Sequence, residues 1–179
     1  INLFAQTGGE YCSKSKINFY NQTQSLSKVA YPGDSNIDVT YYKLDLNISY
    51  SSKYLTGVVT VKGKAAGNSV STFYLDLDSS FTVDSVKSKN KSIQYNLDNS
   101  CHLNITLEKS YSSSEEFSVD IYYQGAPKTD GGIGGSFVFD TTDAGDPIIW
   151  TLSQPYGSRD WWPSKDTPAD KADSSDVWI

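Results

Sequence analysis

From Ile37 onward, apolar side chains fall on every second position, and this alternation limits the folds open to the chain more than any other feature. Tyr42, Leu44, Leu46, Ile48 and Tyr50 share one parity, and Lys43, Asp45, Asn47 and Ser49 the other. Successive side chains of a strand point to opposite faces, so the pattern predicts a strand with one buried face. It recurs at Leu55–Lys64, Phe73–Leu77, Ile93–Leu97, Leu103–Leu107 and Phe117–Tyr123, Phe81–Val86 reads as a short strand, and turn signals fall at 51–53, 88–91 and 98–100. No stretch carries a sustained helical period. The expectation is an all-β domain whose antiparallel sheets each keep one wet face and stack as a sandwich, with little helix. Asp76 and Asp78 share a strand face and read as an exposed acidic pair rather than as paired acid/base carboxylates.

Residues 1–35 show no clean period, and Tyr31-Pro-Gly-Asp34 is a turn signal. They read as a lead-in segment, with the β domain spanning 36–179. The chain starts Ile1-Asn2-Leu3-Phe4 without Met or a signal peptide, and reads as a processed or trimmed piece of something longer. Gly131-Gly-Ile-Gly-Gly135 lacks the Lys-Ser/Thr of a phosphate loop and reads as a plain loop. Ser136–Asp140 and Pro147–Leu152 read as two further strands.

The net charge of −6 argues against a nucleic-acid backbone as partner, because no basic patch exists to release counterions. No apolar run has the length of a membrane span. Cys12 and Cys101 leave a disulfide and two free thiols both open. Four Asn-x-Ser/Thr triplets, at Asn21, Asn47, Asn90 and Asn104, lean towards an exported protein. His102 is the single histidine and sits on the polar parity of its strand, so it reads as solvated rather than as a metal ligand.

The densest chemistry lies in Trp150–Ala172, which holds three of the four tryptophans. Pro155 and Gly157 end the preceding strand. Arg159 reads as a structural residue that pairs with an acid or with nearby carbonyls. Trp161 and Trp162 read as core and domain-interface packing, because adjacent residues of an extended chain face opposite ways. A sugar-stacking role for the pair is the alternative. Asp166 and Asp170 read as helix-start acids rather than calcium ligands. Thr167 as cap, Pro168 at the first helical position and Asp170 reaching back predict one helical turn. A last strand is expected near Asp176.

Trp161-Trp-Pro-Ser-Lys-Asp166, preceded by Ser153-Gln154 and Arg159 and followed by Pro168-Ala-Asp-Lys-Ala172, resembles the N-terminal domain of the aminopeptidase N family of gluzincin zinc metallopeptidases. Tyr42-Lys-Leu-Asp-Leu46, Leu55-Thr-Gly57, Val83-Asp-Ser-Val86 and Ile121-Tyr-Tyr-Gln-Gly125 agree with it, so the likeness runs from about Ile37 to Ile179. The Trp-Trp form and the Tyr156-Gly pair look most like the secreted bacterial branch, which implies a secreted, periplasmic or cell-surface location.

The resemblance implies a saddle of β-sheets that covers the active site of a following catalytic domain. It implies that the Gln154 side chain accepts a hydrogen bond from the free α-ammonium of a peptide substrate, since a desolvated ammonium needs acceptors. The sequence departs from the family at Leu152, where a second Gln is common, and at Ser164, where many members have Cys. Zinc is expected in the catalytic domain, and no cofactor in this chain. One histidine and no His-Glu-x-x-His mean that the catalytic domain is absent from this chain. These 179 residues alone are therefore expected to be inactive, although the parent reads as a zinc-dependent aminopeptidase. A carbohydrate-binding or adhesive β-sandwich module is the competing expectation.

Overall fold

The computed structural model describes residues 33–129, 135–153 and 156–179. The chain divides between Ala30 and Tyr31, and every described residue belongs to the second unit. Cys12, Gln154 and most of the Gly131–Gly135 loop lie outside the described residues.

The described chain is built almost wholly from strands, as the alternation predicts. In order these are β1 (Ile37–Ser49), β2 (Tyr54–Ala65), β3 (Ser69–Asp76), β4 (Phe81–Ser88), β5 (Lys91–Ser92), β6 (Tyr95–Leu97), β7 (His102–Ser112), β8 (Phe117–Gly125), β9 (Phe137–Thr141), β10 (Pro147–Thr151) and β11 (Ser174–Trp178). A six-stranded sheet has the order β11-β1-β2-β8-β4-β5, a three-stranded sheet the order β3-β7-β6, and β9 and β10 form a separate hairpin.

The inner faces of the two larger sheets meet. Leu44 and Leu46 of β1, Val59 and Val61 of β2, and Val119 and Ile121 of β8 are buried, as are Phe73 and Leu75 of β3 and Leu103 and Ile105 of β7. The Phe73 and Phe117 rings pack across the interface with centroids 4.9 Å apart. Each fully enclosed Leu, Val or Phe contributes about 1.5–3 kcal/mol, so these ranks hold the layers together.

Three features depart from the sequence reading. Ile93–Leu97 is not one strand: β5 pairs with β4 in the large sheet and β6 with β7 in the small one, so the chain changes sheets between them. The last strand, β11, starts at Ser174 and runs parallel to β1, whereas every other pairing is antiparallel. No helical turn forms at Pro168. The Asp170 carboxylate is taken by the Lys165 ammonium, and Thr167 Oγ1 accepts only the Ala169 N–H, at 3.4 Å. Among the described residues the one helical element is a 3-10 turn at Ser158–Asp160.

Candidate functional site

Residues 156–170 form a crossing that runs past the end of β3, where Ser164 bridges to Asp76, and are tied down by buried acids. Gly157 enters the 3-10 turn at φ +139°, and a Cβ there would lie 2.3 Å from Ser136 Oγ, so only glycine fits. The Gly157 N–H donates to the Asp166 carboxylate at 3.0 and 3.3 Å, and the Ser158 hydroxyl donates to Asp166 Oδ1 at 2.7 Å. The Asp166 N–H in turn donates to Asp76 Oδ2 at 3.1 Å. Ser136 donates to Asp160 Oδ2 at 2.6 Å. Asp76 and Ser164 exchange backbone hydrogen bonds at 2.7 and 3.0 Å, stitching the crossing to the end of β3.

Asp76 is therefore not on an exposed acidic face. It is 2 % exposed, because the crossing covers the side of β3 that the alternation assigns to water. Burial pushes its carboxyl above the ordinary value. The Asp166 N–H opposes that shift, the Asp166 charge adds to it, and the charges of His102 and Arg159 oppose it. Burial likewise raises Asp160, against the Ser136 hydroxyl and the charges of Lys128 and Arg159. Asp78 lies nearby at the turn after β3, where its N–H donates to the Arg159 carbonyl at 2.9 Å and its carboxylate stands 3.6 Å from Lys128 Nζ.

The aromatic pair sits on top of this frame. Trp161 packs against Phe137 and donates its indole N–H to Ser153 Oγ at 2.9 Å. Tyr123 donates its hydroxyl to the Trp161 carbonyl at 3.0 Å. Trp162 meets the edge of Tyr42 at 4.8 Å, and the Tyr42 hydroxyl accepts the Lys165 N–H at 2.9 Å. The two indoles meet each other at 64°, with centroids 5.9 Å apart. Two half-buried rings at that angle give a sugar no flat platform. They instead line a groove of about 650 Å³ with Tyr42, Leu44, Ser153 and Val177.

The structure brings Arg159, Trp161, Trp162 and Asp166 into one cluster, and Gln154 lies outside the described residues, next to Ser153. Sequence reasoning named Asp76 only as an exposed acid and Gly157 only as a strand end, and it missed Asp160, Ser136 and the Tyr42 and Tyr123 hydroxyls. Only the Gly157 break after a strand carried a local signal. His102 is half-exposed, stacks on Tyr74 with centroids 4.3 Å apart, and lies within 4 Å of Asp76 and Asp98. Cys101 carries a free thiol. Among the described residues no group of three or more His, Cys, Asp or Glu could hold a metal ion.

Stacked antiparallel sheets closed by an acid-pinned aromatic crossing define an all-β domain of a distinct class. The sequence model of the peptidase M1 N-terminal domain matches residues 38–175, and the chain belongs to that family. Among solved structures, the chain is similar to the M1 zinc metallopeptidase from Deinococcus radiodurans, with 23% identity and a TM-score of 0.67 over 81% of this chain and 32% of that one. A variant of that metallopeptidase bound to a Tyr-Ser-Ala substrate gives 25% identity and a TM-score of 0.66, with the same coverage. Leukotriene A4 hydrolase from Saccharomyces cerevisiae gives 17% identity and a TM-score of 0.62 over 87% of this chain and 26% of that one. The chain thus spans about a third of the bacterial proteins and about a quarter of the yeast one. No curated protein sequence matches it.

Proposed function

We propose that this chain is the non-catalytic N-terminal domain of a zinc aminopeptidase, that it caps the active-site cleft of a following catalytic domain, and that Gln154 helps to bind the free N-terminus of peptide substrates. The observation that carries this reading is the apolar approach to Gln154. Ile148 and Ile149 of β10 and Leu152 just beyond it are 41%, 37% and 37% exposed. Three large aliphatic side chains exposed within five positions suit a surface that another domain covers. The hydroxyl of Ser153, the residue before Gln154, is held by the Trp161 indole. A held neighbour suits a residue whose amide must meet an ammonium in one place.

The charge of the substrate supplies the selectivity. An α-ammonium removed from water needs acceptors, and a side-chain amide oxygen offers one, whereas an acylated N-terminus has no charge to satisfy. Zinc belongs to the catalytic domain of this reading, where it would polarise the scissile carbonyl and its attacking water. Export goes with the same reading, supported by the Trp161-Trp162 and Tyr156-Gly157 pairs and the four sequons.

The test uses the full-length protein translated from the gene. Its sequence beyond Ile179 is expected to contain His-Glu-x-x-His and a downstream Glu. Gln154→Ala is expected to lower kcat/KM for unblocked dipeptide substrates about tenfold, mostly through KM, and to leave the folded stability unchanged. Unchanged kcat/KM, or the absence of the zinc motif, overturns the proposal.

A further inference from the structure

We propose that the outer face of the six-stranded sheet carries a binding trough for neutral oligosaccharides. The trough holds about 430 Å³, within the range of about 300–1,000 Å³ that small-ligand sites occupy. It crosses the strands rather than following them. In one rank, Asp45 of β1, Val58 of β2 and Tyr122 of β8 stand opposite one another. In the next, Asn47, Thr56 and Gln124 do. The β2 side chains, Val58 and Thr56, branch at Cβ and reach least far from the sheet, so the middle is lower than the two sides.

The far wall is completed by a break in regular pairing. Val83 faces Tyr123 and Ser85 faces Tyr122, which leaves Asp84 as the extra residue of a β-bulge. A bulge turns its extra side chain away from the regular alternation. Here Gln124 Nε2 donates to both Asp84 carboxylate oxygens, at 2.9 and 3.1 Å, and holds the group at the trough. A fixed carboxylate, an aromatic ring, an amide and a hydroxyl lining one furrow match a sugar, whose C–H face stacks on a ring and whose hydroxyls bond to acceptors.

The charge balance decides against an ionic ligand. Lys43 lies 3.6 Å from Asp45, and Lys87 stands over the Tyr122 ring at 4.4 Å. Asp120 stands in one rank with Lys43 and Lys87, so three carboxylates face two ammonium groups; the small negative balance repels a polyanion and gives a polycation little to hold. The site is separate from Trp161 and Trp162, and it stands whether or not the domain caps a catalytic cleft.

Titration of the 15N-labelled 179-residue chain with cellotetraose, maltotetraose and chitotetraose tests this, with tetralysine and tetragalacturonate as charged controls. At least one neutral glycan is expected to shift the amides of Asn47, Thr56, Val58, Asp84 and Tyr122, with a dissociation constant of about 1 mM. Tyr122→Ala should weaken that binding about tenfold while Tyr122→Phe, which keeps the ring, retains it. Both variants should stay folded, because the side chain lies on the wet face of β8. No shift with any of the three glycans, shifts scattered over other faces, equal binding of a charged control, or full binding by Tyr122→Ala overturns the proposal.

Discussion

Asp166 accepts the backbone N–H of Gly157 on both carboxylate oxygens, at 3.0 and 3.3 Å, and so closes the loop that carries Arg159, Trp161 and Trp162. Both partners are buried, so the donor has no water to turn to if the acceptor is lost. Asp166→Ala is expected to lower unfolding free energy by about 2–4 kcal/mol in urea titration, because it strands the buried Gly157 N–H and leaves the Ser158 hydroxyl only its Ser164 partner. Asp166→Asn keeps an acceptor oxygen and should cost about half as much.

Gly157 is the other half of the same lock. At φ +139° any side chain is strained, and a methyl group there runs into Ser136 Oγ, the donor to Asp160. Gly157→Ala should destabilise the domain by about 2–4 kcal/mol in the same titration. Gly145 also has positive φ, at +89°, but no atom lies within 4 Å of its added Cβ. Gly145→Ala should therefore cost only about 1 kcal/mol.

Trp161→Phe keeps a ring against Phe137 but removes the donor to Ser153. A loss of about 1 kcal/mol is expected, the net worth of a half-buried hydrogen bond plus a little packing. In the full-length protein the same change should raise KM for unblocked peptides without altering kcat, if Ser153 steadies Gln154. Steady-state kinetics on Trp161→Phe beside Gln154→Ala reads both.

The two raised carboxyls set a pH dependence. Asp76 and Asp160 are pushed above their ordinary value of 3.8 by burial. A raised carboxyl binds its proton more tightly in the folded state, so its stabilising contribution is complete below 3.8 and is lost as pH rises through the folded value. Glu115, on the surface, runs the other way: its bond from Lys109 holds it at about 2, and its contribution is lost on acidification. In Asp76→Asn the Glu115 part is unchanged and the Asp76 part is gone. The variant's unfolding free energy should therefore fall less between about pH 4 and about pH 7 than that of the parent chain. Urea titrations at both pH values, on both proteins, measure the difference directly.

The alternation from Ile37 was enough to find the strands and their inner faces, because each strand obeys a rule that involves only its own residues. Leu44, Val59, Phe73, Leu103 and Val119 are buried where their parity puts them. The Trp161-Trp162 block was likewise legible as the marker of the family, since it is a run of specific residues. The fates of Asp76, Asp84 and β11 were not legible. Asp76 follows its strand's polar parity, and only the crossing, far along the chain, turns that face into interior. Asp84 is placed by a bulge that exists only in register with Tyr122 and Tyr123. The parallel pairing of β11 with β1 joins residues more than a hundred positions apart. Local pattern decides which side of a strand is apolar; which polar groups end up buried together depends on what packs over them, and that is a property of the assembled sheets alone.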